Sequence, residues 1–361
     1  MAILDLRGTA PRFTAMVGTG GIGHGTFFLL EGDASLGREE SRAGRILDRR
    51  DYCKLHIICH YVKELLGEAC AVYPIGRTGD DDAGARLARE MTAVGLDMRF
   101  VRAVPGVPTL FSFCYLYPDG TGGNMTTADS ASGRVDARAV EEAEEVIARA
   151  GTSGIALAVP EVPLDARAAL LSAAARHGLF TAASFTRAEM GEARARGMFA
   201  KVDLLAVNLE EARAAAGLPA GAEARGGSAR GDAEPARLAR EAAQSICSEY
   251  PRLTLSITAG GAGSWAGTGG ELVHQPALPV KVAGTSGAGD AHFAGLLAGL
   301  SAGLDIADSL GLATLMGAAS VTSPHTIAFG ITREILASLL GLLPRGSARL
   351  SALLDTGNDG P

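Results

Sequence analysis

The sequence predicts an α/β fold in which a mainly parallel central sheet is covered by helices on both faces. The first observation behind this prediction is the alternation of short apolar runs, typical of buried strands, with longer stretches of helical spacing. The second is size, because 361 residues that are 47% hydrophobic are enough for one large domain with a small additional element.

The first third of the chain contains predicted strands and two predicted helices, each helix ending at a glycine. A densely charged stretch, residues 38–51, leads into the first helix and balances five arginines against four acids. In chain order the expected elements are strands at 12–18 and 25–33, a helix at 52–67, a strand at 69–76, a helix at 81–95 and a hairpin at 109–127 around Pro118-Asp119-Gly120.

The remainder of the chain continues the alternation of strands and helices. A helix is expected at 136–151, and strands are expected at 154–160, 179–185, 203–208 and 252–260. Residues 219–239 interrupt the pattern, because they are rich in Gly, Ala and Arg and contain no large apolar side chain before Leu238. We expect this segment to be a mobile surface loop and residues 355–361 to be a frayed tail.

Composition argues against several classes of protein. The net charge is −7 with acids and bases mixed along the chain, and aromatic residues make up only 5%, so a nucleic-acid partner is not expected. No stretch approaches about 20 uninterrupted apolar residues, and the first residues lack a signal-peptide pattern, so no membrane partner is expected. Five cysteines without a CxxC pair favour a reducing compartment, which predicts a cytoplasmic location.

The segment "AGTSGAGDAHFAGLLAGL", residues 283–300, joins a glycine-rich turn to an apolar helical pattern. Such a turn lets backbone N–H groups converge, and the following helix adds the positive end of its dipole. This combination makes an anion site without a cationic side chain, and phosphate is the anion that suits it best.

Asp290 stands where this helical pattern begins, and two roles are open for it. An aspartate there is a common helix cap, in which case the glycines form only a tight turn. A carboxylate beside a phosphate site repels the phosphate, which is tolerable if the carboxylate takes a proton from a hydroxyl that attacks it.

The stretch "GTSGAGDAHFAG", residues 284–295, resembles the C-terminal signature of the ribokinase-like (PfkB) carbohydrate kinase family, usually written D-T-x-G-A-G-D. Four further segments are similar to family motifs and follow in the family's order, so the resemblance spans roughly residues 75–340. They are residues 75–97 for G-x-x-G-x-D-x-x-G, 107–120 for the lid hairpin, 207–212 for N-x-x-E and 257–266 for T-x-G-x-x-G.

The resemblance implies one three-layer α/β/α domain over residues 1–361, with a small β lid formed by segments near 23–33 and 98–127. It also implies phosphorylation of a hydroxyl on a sugar or sugar-like acceptor, with ATP and Mg2+ as cofactors. Because exposed lid sheets commonly pair between subunits, we expect a homodimer.

By the same resemblance, Asp290 would be the general base, and Gly287, Ala288 and Gly289 would form the anion hole. Glu211, together with Asn208, would position hydrated Mg2+; the alternative is a helix N-terminus with an acidic first turn. The residues that would contact the nucleotide are Thr258, Gly260, Gly263, Thr285 and Asn208.

Several positions depart from the family pattern. The first acid of the signature is replaced by Gly284, which leaves the monovalent cation site of many family members in doubt here. The strand that usually leads to a sugar-binding aspartate here ends in "GTGGIGHG", residues 18–25, which contains no acid. The usual G-G-x-x-x-N is replaced by residues 37–60, and "SFTR", residues 184–187, stands where D-P-N is usual.

These departures lie in the acceptor half, so we infer an acceptor different from ribose, fructose or adenosine. The candidate acceptor contacts are Arg45, Asp48, Arg49, Asp51, Lys54 and His56; the alternative is a solvated charged face. If the arginines face the site, a phosphorylated or carboxylated sugar fits, because guanidinium groups bind such anions in bidentate fashion.

Three competing interpretations remain open. "GTGGIG", residues 18–23, matches GxGxxG and suggests a dinucleotide-binding oxidoreductase, although neither the expected helix nor the expected acid follows. His56 and His60 share a helix face near Cys53 and Cys59, which could be a metal site or a half-buried face with polar tips. A catalytically inactive, ligand-binding member of the family is the third interpretation.

Overall fold

Two β-sheets organise the chain, one of nine strands and one of four. The computed structural model describes residues 2–119, 122–219, 233–344 and 347–356. In this described part the strands are β1 (Ala15–Thr19), β2 (Gly23–Leu30), β3 (Gly44–Tyr52), β4 (Ala71–Gly79), β5 (Val101–Val104), β6 (Leu110–Leu116), β7 (Gly122–Thr126), β8 (Gly154–Ala158), β9 (Phe180–Ala183), β10 (Leu204–Asn208), β11 (Thr254–Thr258), β12 (Ser264–Thr268) and β13 (Val273–Gln275).

Helices cover the large sheet on both faces. Within the described residues they are α1 (Lys54–Leu66), α2 (Asp82–Ala93), α3 (Ala137–Glu141), α4 (Glu144–Ala150), α5 (Leu164–His177), α6 (Met190–Ala195), α7 (Leu209–Ala215), α8 (Ala233–Glu249), α9 (Ala288–Ser301), α10 (Ile306–Ser320), α11 (Arg333–Leu340) and α12 (Ala348–Leu353).

The large sheet has the order β13-β12-β11-β10-β9-β8-β1-β4-β5. The seven strands from β11 to β5 run parallel, and β12 and β13 add an antiparallel edge. Parallel strands buried on both faces need apolar side chains in both directions. In β1, Met16 packs into the core formed with α1, α9 and α10, whereas the next residue, Val17, packs into the core formed with α3, α4 and α5. The predicted three-layer α/β/α architecture is confirmed.

The second sheet, β3-β2-β6-β7, contains the predicted hairpin as β6 and β7. Its composition differs from the expected lid in two segments. Residues 101–104 form β5 and pair with β4 at the edge of the large sheet instead. The densely charged stretch contributes β3, an edge strand in which Arg45, Asp48 and Arg50 are exposed, so no apolar alternation marked it as a strand.

Two further segments differ in part from the expected elements. The helix expected at 136–151 is divided into α3 and α4. The loop expected at 219–239 is helical from Ala233 onward, where α8 begins, because Leu238, Ala239, Ala242 and Ala243 are buried on one face of that helix. Residues 220–232 lie outside the described residues, and so do residues 357–361 of the expected tail.

None of the helices in the described ranges is both long and apolar enough to cross a membrane. All five cysteines are buried free thiols: Cys53, Cys59, Cys70, Cys114 and Cys247.

Candidate active site

The candidate site lies at the carboxyl ends of the parallel strands, which meet at one edge of the sheet. Ser184 and Phe185 follow β9, while Asn208 and Thr258 end β10 and β11. The N-termini of α1 and α9, which pack against each other, reach the same place. The cavity there is lined by Lys54, Ser184, Phe185, Ala206, Val207, Asn208, Glu211, Ser256, Thr258, Gly289, Asp290, His292 and Phe293.

The turn before α9 requires a glycine at residue 287. Gly287 has φ +80°, and a β-carbon there would lie 2.3 Å from the carbonyl oxygen of Thr326. Left-handed backbone of this kind is costly for other residues. The turn leaves the N–H groups of Gly287, Gly289 and Asp290 without a protein acceptor in the described ranges. These N–H groups and the positive end of α9 are suited to binding an anion. The expected set differs in one residue, because the N–H of Ala288 donates to the carbonyl oxygen of Thr285 at 3.2 Å and the N–H of Asp290 is free instead.

Asp290 lies in the first turn of α9 and forms an ion pair with Lys54, the first residue of α1. The Nζ of Lys54 is 3.1 Å from Oδ1 of Asp290, and the two side chains are 34% and 15% exposed. The negative charge of Asp290 outweighs burial and raises the pKa of Lys54, which keeps its ammonium protonated. The structure therefore brings together two residues that the sequence placed 236 positions apart.

Glu161 belongs to the same cluster, and sequence reasoning missed it. Its Oε2 accepts a hydrogen bond of 3.2 Å from the backbone N–H of Lys54. Burial raises the pKa of Glu161 to about 7, while the nearby Lys54 opposes the rise. Among the described non-glycine residues, it alone has a positive φ, +76°. The sequence feature that could have indicated Glu161 is an acid soon after the buried strand β8. The positive φ of Glu161 cannot be read from the sequence.

The glycines of "GTGGIGHG" make room for side chains of this cluster. A β-carbon at residue 21 would lie 2.4 Å from Oε2 of Glu161, and one at residue 25 would lie 2.2 Å from Oδ2 of Asp51. The segment continues directly into strand β2, with no helix after Gly23. A dinucleotide loop requires a helix N-terminus there, so the structure contradicts the oxidoreductase interpretation.

Asp51 is a buried carboxyl group on strand β3 of the second sheet, 7% exposed. The Sγ of Cys114 lies 3.6 Å from its Oδ2. Burial raises the pKa of Asp51, and the charge of Asp290 raises it further, against hydrogen bonds from Cys114 and Ser112. The charge of Asp290 therefore acts on Asp51, although Asp51 is not among the residues that line the cavity.

Asn208 and Glu211 form a capping box at the start of α7. The N–H of Glu211 donates to Oδ1 of Asn208, and the N–H of Asn208 donates to Oε2 of Glu211, both at 2.9 Å. Both residues also line the cavity. Burial raises the pKa of Glu211 while Lys54 lowers it. The two residues therefore cap helix α7, as the helix-terminus interpretation expected. The capping box uses only Oε2 of Glu211, so Oε1 is available to another partner.

Of the expected nucleotide contacts, Thr258 and Asn208 line the cavity, whereas Gly260, Gly263 and Thr285 lie outside its lining. Gly260 and Gly263 flank a short turn after β11 with φ of +55° and +88°. The carbonyl oxygen of Thr285 accepts a hydrogen bond from Ala288. A further lining residue is His292, whose Nε2 is 3.0 Å from Oγ of Ser264 and whose pKa burial lowers to about 4.

The remaining expected acceptor contacts lie away from the cavity. Arg45 and Asp48 are exposed, and the guanidinium of Arg49 lies 5.8 Å from the ring centre of Phe27. His56 is 1% exposed, and its ring packs 4.7 Å from that of Tyr52. This placement corrects the expectation for His56, because its position on α1 directs the ring into the protein. No group of three metal-ligating side chains occurs in the described residues, so His56 and His60 form no metal centre there.

Gly284 is closely packed. A β-carbon there would lie 3.2 Å from the carbonyl oxygen of Ser323 and 3.4 Å from Cα of Pro324. A larger side chain at this position would therefore require the 323–324 segment to shift.

A model of the pfkB family carbohydrate kinases matches residues 58–332. The chain belongs to the pfkB family. The family model describes this family as carbohydrate kinases, the family that the sequence motifs resemble. A fructokinase of Klebsiella pneumoniae is 45% identical over 75 residues, which are 19% of this chain and 24% of that fructokinase. The match thus covers less than two thirds of the fructokinase's length.

Solved structures of ribokinases share the fold. The ribokinase of Cryptococcus neoformans var. grubii, in complex with ADP, matches with a TM-score of 0.71 at 20% sequence identity. The match covers 91% of this chain and 100% of the ribokinase chain. The Arabidopsis thaliana ribokinase, complexed with ribose and ATP, matches with a TM-score of 0.69 at 18% sequence identity. The match covers 91% of this chain and 98% of the ribokinase chain. A Burkholderia thailandensis nucleoside kinase in complex with inosine matches with a TM-score of 0.66 at 21% sequence identity. The match covers 90% of this chain and 96% of the nucleoside kinase chain.

Proposed function

We propose that this carbohydrate kinase transfers the γ-phosphoryl group of ATP to a hydroxyl of a neutral, polyhydroxylated acceptor, with Asp290 as the general base. The observation that carries the proposal is the position of Asp290. It lies in the first turn of α9, directly after the free N–H groups of the 287–290 turn. A base beside an anion site is the arrangement that phosphoryl transfer to a hydroxyl requires.

In the proposed step, Oδ2 of Asp290 accepts the proton of the acceptor hydroxyl. Lys54 engages Oδ1 of Asp290, whereas Oδ2 accepts no hydrogen bond from the described residues. The acceptor hydroxyl donates its proton to Oδ2 as its oxygen attacks the γ-phosphorus. The N–H groups of Gly287, Gly289 and Asp290 stabilise the negative charge that develops on the transferring group.

Mg2+ fits the donor set on the nucleotide side of the cavity. Mg2+ prefers oxygen ligands and keeps several waters, so one or two protein oxygens are sufficient. Glu211 offers Oε1, and Asn208 lies beside it at the end of β10. When bound, the ion neutralises part of the triphosphate charge.

The acceptor side of the site favours a neutral substrate. Asp51 and Glu161 are buried carboxyl groups whose pKa values are raised by burial, and a carboxyl group binds hydroxyls in either protonation state. The contact described for Arg49 is with Phe27, and Lys54 is already paired with Asp290. Lys54 is the sole lysine or arginine among the described residues that line the cavity, so an anionic sugar would find no further cation there.

A homodimer would use the outer face of the second sheet. Ile46 and Met125 are 70% and 55% exposed there, next to the Phe28 and Phe113 rings, which lie 5.7 Å apart. By the pairing of β3, β2, β6 and β7, these four residues share one face. A second copy would cover this apolar patch. Free buried cysteines are consistent with a cytoplasmic enzyme.

The function is tested by measuring ADP release with ATP and Mg2+ across matched panels of neutral sugars and polyols, sugar acids, sugar phosphates and nucleosides. We expect activity in the neutral panel. Activity confined to sugar acids or sugar phosphates would contradict the acceptor class. Tight ATP binding without ADP release on any panel would indicate an inactive, ligand-binding member of the family.

A further inference from the structure

Lys54 pairs with the proposed base and lines the same cavity as the proposed metal-binding residues. Its Nζ lies 3.1 Å from Oδ1 of Asp290, and its positive charge also acts on the carboxyl groups of Glu161 and Glu211. It lines the cavity together with Asn208, Glu211, Thr258 and Gly289. This cavity is where the phosphates of the nucleotide would lie, so the lysine faces the donor as well as the acceptor.

The cavity has few positive charges, so the ammonium of Lys54 has a large effect on an anionic ligand bound there. Among its lining residues in the described part of the chain, Lys54 is the sole lysine or arginine. His292 does not supply a second cation near pH 7, because burial lowers its pKa to about 4. Asp290 and Glu211 add negative charge to that of the triphosphate. A single side-chain ammonium therefore faces all of these anions.

The geometry of α1 holds the backbone of Lys54 and leaves its side chain adjustable. Its backbone N–H is bound by Glu161, whereas its ammonium stands at the end of a flexible four-carbon chain that is 34% exposed. Rotation of that chain lets Nζ reach a group bound in the cavity while it stays beside Asp290, without moving the helix.

We propose that Lys54 is a second catalytic residue, whose ammonium contacts the transferring γ-phosphoryl group of the donor while remaining beside Asp290. This inference rests on the proposed function. In the step, the bond between the β,γ-bridging oxygen and the γ-phosphorus breaks, and a bond from the acceptor oxygen to the γ-phosphorus forms. The acceptor proton passes to Asp290, and Lys54 stays protonated throughout.

The first test compares nucleotide affinities by calorimetry, in the presence of Mg2+, for K54M, K54R and the control K201M. Lys201 is an exposed lysine whose Nζ contacts Oγ of Ser172, away from the cavity. We expect K54M to lose about 10- to 100-fold in affinity for a non-hydrolysable ATP analogue, the range for a hydrogen bond to a charged group. Its ADP affinity should change less than about threefold. K54R should recover part of the loss, and K201M should match the parent.

Other outcomes separate the alternatives. Equal losses for ADP and the ATP analogue, or no loss for either, would overturn the γ-phosphoryl contact. An increase in the acceptor KM alone would make Lys54 an acceptor contact instead. If the parent protein binds neither nucleotide, the proposed function itself fails, which is a different result.

A second measurement uses the parent protein and so does not depend on the folding of a variant. Lysines are acetylated with acetic anhydride and quantified by mass spectrometry, with no nucleotide, with ADP or with the ATP analogue. We expect the ATP analogue to protect Lys54 several-fold more than ADP does, while Lys201 reacts equally in all three. Equal protection by the two nucleotides would contradict the proposal.

Discussion

Oε2 of Glu161 lies 2.4 Å from the position that a β-carbon would occupy at Gly21. Residue 21 therefore has to be a glycine for Glu161 to reach the backbone N–H of Lys54. This close approach links the glycine-rich segment after β1 to the start of α1, where Lys54 pairs with Asp290.

G21A tests that link. We expect the added methyl group to displace the Glu161 side chain, lowering the free energy of unfolding by about 1–3 kcal/mol and raising the acceptor KM. G191A is the matched control, because a β-carbon at Gly191 meets no atom within 4 Å. Chemical denaturation and steady-state kinetics measure both effects. Equal behaviour of the two variants would show that Glu161 does not depend on Gly21.

The buried Glu161 carboxyl predicts a pH-dependent stability. Its pKa is raised by burial from the ordinary 4.5 to about 7, so folding favours its protonated form. The stability that this form contributes is fully present below about pH 4.5 and is lost as the pH rises through about 7.

We therefore expect the free energy of unfolding of the parent to fall relative to that of E161Q between about pH 4.5 and 7, because the glutamine cannot ionise. Denaturation of both proteins at pH 4.5, 6 and 8 measures this difference. Parallel curves for the two proteins would show that Glu161 is ionised in the fold already at low pH.

E211Q separates the metal role of this residue from its helix-capping role. Glutamine can replace glutamate in a capping box, so the start of α7 and the free energy of unfolding should be preserved. Loss of the carboxylate charge should raise the Mg2+ concentration for half-maximal activity by about 10-fold or more. An unchanged Mg2+ titration would remove Glu211 from the metal site.

G287A addresses the turn that forms the anion site. A β-carbon at residue 287 meets the carbonyl oxygen of Thr326 at 2.3 Å, and φ is +80°. We expect this variant to lose at least about 1–2 kcal/mol of stability. G289A is the control for folding, because a β-carbon at residue 289 meets no atom within 4 Å. Equal thermal midpoints for the two variants would contradict the packing argument.

Much of the large sheet could be predicted, because its strands are short apolar runs that alternate with helices. The position of Asp290 could also be predicted, since the glycine turn and the helix start are adjacent in the sequence. Strand β3 could not, because it is a charged edge strand with an exposed face. Glu161 was missed because its role depends on a positive φ and on space left by Gly21, which are properties of tertiary structure.

The orientation of α1 was the other unpredictable feature. Lys54 and His56 are two positions apart, and both were candidates for acceptor contacts. On a helix such residues do not share a face. The packing of α1 directs Lys54 into the cavity and His56 toward Tyr52, a choice that depends on partners distant in the sequence.

The most direct measurement for the central claim is single-turnover phosphoryl transfer by D290N, alongside calorimetric binding of ATP to the same variant. The account predicts a folded protein that still binds ATP but transfers the phosphoryl group about 10²- to 10⁴-fold more slowly than the parent, the usual contribution of a positioned base. Transfer by D290N at the parent's rate would contradict the assignment of Asp290 as the base.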